Sequence, residues 1–216
     1  MKKLYFLFLV SVIFSCTNSS ETCESKCSKK CTETKNESDL LDYSTLPFKN
    51  SEGTITAVVE IPAGTNHKYE YNYDSKSFVC EIRNGKPRVV NYLPYIGNYG
   101  FIPGTFMDPS IGGDGDALDV LILSEAMSQG SVVEIKPIGI LKLMDDGEED
   151  HKVIAVPAKD SLNTLGVNSF DELPDNVKEI LKTWFTSYKR NTDMVFQNWE
   201  GDSLAMLEIE KWVKKK

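Results

Sequence analysis

The sequence predicts an α+β protein in which a small closed β-barrel comes first and two C-terminal helices pack on it. Short β-type segments punctuated by Gly, Pro and Asp run from Thr54 to Pro157. After Pro174 the pattern switches to a helical stripe. The opening 40 residues carry neither signal. The 216 residues are 41% hydrophobic, enough for one domain with a real core. A net charge of −8 argues against nucleic acid as a partner, while a small anion held by a local cationic pocket stays compatible.

Residues 1–15 read as a signal peptide. Lys2 and Lys3 precede the apolar run LYFLFLVSVIF, too short for a comfortable membrane span, and Ser15-Cys16 follows. The ending IFSC resembles a bacterial lipobox, with Cys16 as the lipidated residue of the mature protein. The expected location is therefore the bacterial cell envelope, with a lipid anchor as the only membrane contact; a misassigned start codon would place the chain in the cytoplasm. Residues 16–40 are Ser, Thr, Glu, Lys and Asn with almost no apolar side chains, and read as a disordered tether. Its Cys23, Cys27 and Cys31 lack a nearby fourth ligand, so disulfides or free thiols are the expectation.

Residues 41–216 form the folded body. TITAVVEIP (Thr54 to Pro62), HKYEYNY (His67 to Tyr73) and SFVCEI are expected strands, with Cys80 as a core residue. DVLILS (Asp119 to Ser124), SVVEIKPIGILKLM (Ser131 to Met144) and HKVIAVP (His151 to Pro157) continue the series. Val177, Ile180, Leu181, Trp184, Phe185 and Tyr188 then fall at i, i+3, i+4, i+7, i+8 and i+11 behind Pro174, a helix start. A less regular helix is expected over Asp202 to Val213.

Chemistry concentrates in three places. In GGDGDALDVLIL, Asp114, Asp116 and Asp119 crowd the start of an apolar strand. In an extended chain Asp114 and Asp116 would face one way and Asp119 the other. Gly112, Gly113 and Gly115 permit the bend that would bring them together. Three converging carboxylates call for a cation, and oxygen-only donors favour Mg²⁺ or Mn²⁺ over zinc. Alone, the stretch also describes a solvated turn; Leu118 excludes an EF-hand loop and Ala117 a glycine-rich calcium repeat. The second place is LKLMDDGEEDHKVIAVP, a hairpin turning at Asp146-Gly147 with Asp145 and Asp150 at its shoulders and Lys152 on the face of Asp150. The third is a set of cations, phenols and acids: Glu60, Lys68, Glu70, Arg88, Tyr95, Tyr99, Tyr188 and Lys189. Lysine and arginine pair with phosphoryl oxygens.

Taken in order, VVEIP, HKYE, NYGFIP, GDGDALDVL, DDGEEDHKVIAVP and WFTSYK resemble the soluble family I inorganic pyrophosphatases, over roughly Thr54 to Trp212. The resemblance implies an OB-like barrel of about five strands, several Mg²⁺ per active site with Mn²⁺ a possible substitute, hydrolysis of inorganic diphosphate to two phosphates, and a homo-oligomer. By resemblance Asp114, Asp119, Asp145, Asp150 and Glu70 are metal ligands, and Asp116 accepts the proton of the attacking water. Lys68, Arg88, Tyr99, Lys152, Tyr188 and Lys189 contact substrate, with Glu60 and Tyr95 in support. Arg83 rivals Arg88, because the segment between them has its own length. Asp146 is not a firm ligand.

Physical logic supports this chemistry. Diphosphate repels hydroxide, and two divalent ions can share one water and lower its pKa. Asp116 could then orient that water and take its proton, while cations neutralise both phosphoryl groups. In-line attack by water needs no covalent intermediate. The alternative is a non-catalytic envelope lipoprotein that uses the same fold to bind metal or polyanion. A phosphotransferase would need a nucleotide pocket, and no glycine-rich phosphate loop is present.

Overall fold

The computed structural model describes residues 41–189 and 193–214. The expected signal peptide, Cys16 and the expected tether with its three cysteines lie outside the described residues.

Five strands close into a ring. β1 (Ile55–Ile61) pairs with β6 (Asn98–Phe101), β6 with β7 (Asp119–Ile122), β7 with β10 (Lys152–Pro157) and β10 with β8 (Val132–Asp145). β8 returns to β1 through Ile55↔Ile135 and Val58↔Val132, which shuts the barrel. All neighbours are antiparallel except β7 and β10, whose parallel register sets Lys152 beside Asp119. β8 spans 14 residues and also pairs with β11 (Val195–Gly201) and the short β9 (Glu148–Glu149). Two small hairpins stand apart from the ring: β2 (Tyr69–Asn72) with β3 (Ser77–Cys80), and β4 (Ile82–Arg83) with β5 (Lys86–Pro87).

The strands read as apolar runs because both their faces are covered. Along β10, Ile154 and Val156 join one core cluster with Leu181, Trp184 and Phe185 of helix α1 (Asp175–Ser187). Val153 and Ala155 join a second with Ile209 and Trp212 of helix α2 (Asp202–Trp212). Every residue of β1 is buried for the same reason. Close backbone approach demands Gly100, where an added Cβ would sit 1.8 Å from the Val58 carbonyl oxygen.

The α+β barrel with C-terminal helices is the expected architecture. Four details differ. β6 and β11 were not among the expected strands: β6 is four residues long and ends at Phe101, just before Ile102-Pro103, and β11 is exposed at Val195, Gln197 and Asn198 on the outer edge of β8. The strand expected through Ile82 breaks at Glu81. His67 makes only an isolated bridge to Val89. Ile180, expected on the buried stripe of α1, is 56% exposed, because the helix buries only Leu181, Trp184 and Phe185.

Candidate active site

The beginnings of β7 and β10, the end of β8 and the hairpin β2–β3 border one cavity of about 430 Å³. The loop before β7 supplies Asp114 and Asp116, and β7 opens with Asp119. Its path needs glycine in two ways. Gly112 and Gly115 hold φ of 97° and 89°, a region that favours glycine. Gly113 runs so close to Met107 that a Cβ would lie 2.3 Å from its carbonyl carbon. The Asp116 backbone N–H donates to Asp114 Oδ1 at 3.0 Å, fixing the bend that turns all three aspartates into the cavity.

The hairpin between β8 and β10 supplies Asp145, Asp150 and Lys152. Asp146 and Gly147 take the turn with φ of 52° and 95°. Lys152, 1% exposed, donates to Asp119 Oδ2 at 2.5 Å and to Asp150 Oδ1. Tyr99 donates to the same Asp119 oxygen at 2.5 Å. Lys189, just past α1, donates to Asp145 Oδ2, while buried Asp145 Oδ1 has no hydrogen-bond partner. Lys68 lies 3.2 Å from Glu70 and 5.3 Å from the Tyr99 ring centroid. Tyr188 stacks on Trp184 at 4.7 Å, and Glu60 accepts from the Tyr71 N–H at 2.7 Å.

Electrostatics divide these acids. Burial pushes Asp114 up to about 6 and Glu60 to about 8. Burial, then the Asp119 charge, raises Asp116. Asp150 goes the other way: burial opposes its charge, but Lys152 outweighs that and lowers it. Burial also works against charge on Lys152, and Asp119 with Asp150 overcomes it, so the ammonium is held firmly. Burial raises the Tyr188 phenol as well.

A cluster of carboxylates and cations facing one cavity is a phosphate-and-metal arrangement, and comparison with known proteins decides among its owners. The sequence profile described as inorganic pyrophosphatase matches residues 57–216. The chain belongs to the inorganic pyrophosphatase family. It is similar to the inorganic pyrophosphatase of Synechocystis sp., 33% identical over 178 residues, covering 81% of this chain and 98% of that one. It is 39% identical to the Sulfolobus acidocaldarius enzyme over 145 residues, 66% of this chain and 78% of the relative. Among solved structures it is similar to the inorganic pyrophosphatase of Thermus thermophilus, with TM-score 0.68, 29% identity, and coverage of 80% of this chain and 97% of that one. The type I enzyme of Toxoplasma gondii superposes with TM-score 0.71, 28% identity, and coverage of 78% and 83%.

For a pyrophosphatase, the donor chemistry fits a hard cation. Among the described residues the cavity lining contains no His or Cys, and its polar side chains are carboxylates, phenols, an amide, ammonium groups and a guanidinium. Buried Asp145 Oδ1 has no hydrogen-bond partner among the described residues. A second grouping, Glu149, His151 and Glu208, has ligand atoms within 4.8 Å of one another. Its carboxylates are already paired within the protein: His151 Nδ1 is 2.9 Å from Glu208 Oε1, Trp212 Nε1 donates to that oxygen at 2.7 Å, and Lys211 donates to Glu149 at 2.7 Å, while buried His151 Nε2 has no hydrogen-bond partner among the described residues.

The structure brings Glu60, Lys68, Glu70, Arg88, Tyr99, Asp114, Asp116, Asp119, Asp145, Asp150, Lys152, Tyr188 and Lys189 to this one cavity. Tyr95 does not line it; buried, it packs at 5.2 Å on Tyr99 and 4.8 Å on Trp184. Between the rival arginines, Arg88 lines the cavity and Arg83 does not; the turn of the β4–β5 hairpin is Asn84-Gly85, with φ of 54° and 73°. Sequence reasoning missed Tyr71, Asn72, Tyr73, Asp74, Phe101 and Glu148. Asn72 was findable, since it alternates with Lys68 and Glu70 at strand spacing.

Proposed function

We propose that this chain hydrolyses inorganic diphosphate to two phosphates in a Mg²⁺-dependent reaction, by in-line attack of water without a covalent intermediate. The observation that carries the reading is the convergence of Asp114, Asp116, Asp119, Asp145 and Asp150 with Lys68, Arg88, Lys152 and Lys189 on a single cavity. Asp114, Asp119, Asp145, Asp150 and Glu70 would hold the divalent cations, for which Mn²⁺ is a possible substitute. When bound, such ions supply charge neutralisation and lower the pKa of a nearby water.

The protein groups do the rest. Asp116 has no lysine partner within hydrogen-bonding distance among the described residues, unlike Asp119 and Asp150, so its carboxylate is available to orient water and receive a proton. Its upward shift strengthens it as a base. Lys68, Arg88, Lys152 and Lys189 neutralise phosphoryl oxygens, and Tyr99 and Tyr188, protonated across the working range, donate to them. Among the described residues no cysteine lines the cavity, which supports water as the nucleophile. The non-catalytic alternative would need a carboxylate or cation of the pocket to be lost; every expected one lines the cavity, and only Tyr95 packs behind it.

The deciding experiment is phosphate release from diphosphate by the full chain, with and without Mg²⁺. Mg²⁺-dependent release is expected; its absence would remove the enzyme reading. Export with lipidation of Cys16 is a separate proposal, tested by membrane fractionation and mass analysis of the mature N-terminus. Self-association, also proposed, is tested by light scattering.

A further inference from the structure

Glu81 belongs to no expected site, yet it sits where the two arginines meet. Its Oε2 accepts from Arg88 Nη1 at 2.5 Å, while its other oxygen lies 3.5 Å from Arg83 Nε. The Arg88 side chain is 13% exposed and Arg83 60%, so one guanidinium faces the cavity and the other faces solvent. Main-chain bonds lock the same place. Glu81 N donates to the Lys68 carbonyl at 2.8 Å, Arg88 N to the Glu81 carbonyl at 2.7 Å, and Lys68 N to the Arg88 carbonyl at 3.0 Å. Three residues distant in sequence thus form a closed ring of backbone hydrogen bonds, and two of them send cations into the cavity.

We propose that Glu81 is a positioning residue for diphosphate: it holds the Arg88 guanidinium at the cavity wall until a phosphoryl group takes it, and Arg83 then keeps the vacated carboxylate neutralised. The inference rests on the diphosphate reading. A long arginine side chain without a partner loses its aim, because it spreads over many rotamers. A carboxylate contact removes that freedom before substrate arrives. The transfer of Arg88 to a phosphoryl oxygen would strand a partly buried carboxylate, an unfavourable state unless a second cation is already in place. Arg83 is in place, on the oxygen that Arg88 does not use.

The test is a double-mutant cycle, read both on kcat/KM for diphosphate with Mg²⁺ and on calorimetric binding of imidodiphosphate, which is not turned over. Glu81→Gln is expected to lower both roughly tenfold in the wild-type background and by less than about twofold in Arg88→Ala. Equal losses in the two backgrounds would make Glu81 merely structural and overturn the proposal, as would an unchanged or improved Glu81→Gln. Arg83→Ala is expected to weaken binding by about threefold, an effect that Glu81→Gln erases. A loss that persists in Glu81→Gln would mean general attraction of the anion and would overturn the exchange. Arg83 is on an exposed hairpin, so this arm stands even if Glu81→Gln does not fold. Wild-type protein that binds imidodiphosphate without hydrolysing diphosphate would sink the enzymatic reading and leave the cycle to be read on binding. Wild-type protein that does neither would sink both.

Discussion

The start of β10 presents two faces with opposite electrostatics. Asp150 and Lys152 turn toward the cavity, and His151 between them turns toward α2. Both sides gather carboxylates near cations in buried surroundings. On the α2 side Glu208 Oε1 is hydrogen-bonded to His151 and Trp212 with Lys211 3.8 Å away, and despite burial the pairing with His151 and Trp212 lowers it to about 2. On the cavity side Asp114 and Glu60 are pushed up, and Asp145 keeps an open oxygen. Proximity of ligand-type atoms alone would select the wrong side, since Glu149, His151 and Glu208 are the tight cluster. What marks a cation site is the carboxylate charge that the protein leaves unanswered.

Four experiments break or sharpen this contrast. The largest effect is expected from a chelator: turnover of diphosphate falls by about a thousandfold or more, since Lewis-acid assistance supplies several kcal/mol of barrier lowering. Phosphate release before and after added Mg²⁺ checks it, and undiminished turnover in chelator would end the cavity's claim. Next, Asp116→Asn folds and binds divalent cation but loses about 10²- to 10⁴-fold in kcat, the range of a general base. Near-normal turnover would remove Asp116 from that role.

The third prediction concerns the other face. Glu208 has a folded-state pKa below its unfolded value, so its stabilisation is complete above about 4.5 and is lost as pH falls toward about 2. Glu208→Gln should therefore cost about 3 kcal/mol at pH 7 and progressively less below pH 4.5. Denaturant titrations across that window measure it; a penalty independent of pH would contradict the ion-pair account. The smallest effect has the opposite sign. Asp114 is raised from 3.8 to about 6, so its ionisation penalises the metal-free fold increasingly between those values and fully above them. Asp114→Asn should raise the Tm of the metal-free protein by a few degrees at pH 7 and by nothing at pH 3.5. Destabilisation at pH 7 would show that Asp114 is satisfied without a cation.

Much of this was legible because local rules carry it. Strand parity predicted that Asp114 and Asp119 could converge only through a bend, and three glycines in the same stretch supplied it. The apolar stripe from Val177 to Tyr188 located α1 before Tyr188 and Lys189 were placed. Tertiary facts were not legible. Nothing local to Asn98–Phe101 says that it fills the gap between β1 and β7, and its flanking Pro and Gly residues argue for a loop. Ile180 obeys the helical period, yet among the described residues it stays 56% exposed, and only the packed structure shows that. The choice between Arg83 and Arg88 depended on a two-residue turn at Asn84-Gly85 that sends one side chain inward and the other out. Glu81 was invisible for the same reason, because its partners meet only when three segments close.

The parallel pairing of β7 with β10 has a consequence for how the protein comes into being. Lys152 and Asp119 are 33 residues apart, and Lys189 and Asp145 are 44 apart. The cavity draws on segments spread from Glu60 to Lys189, and the last of them lies beyond α1. Such distant pairings form slowly, because loop closure must precede the contacts that reward it. A nascent chain thus displays the Asp114–Asp119 cluster before Asp145, Asp150 and Lys152 can join it, and completes the cavity only as the ring shuts. In refolding, the return of diphosphate turnover should keep pace with the slowest spectroscopic phase, and cation binding should then hold the ring closed by mass action.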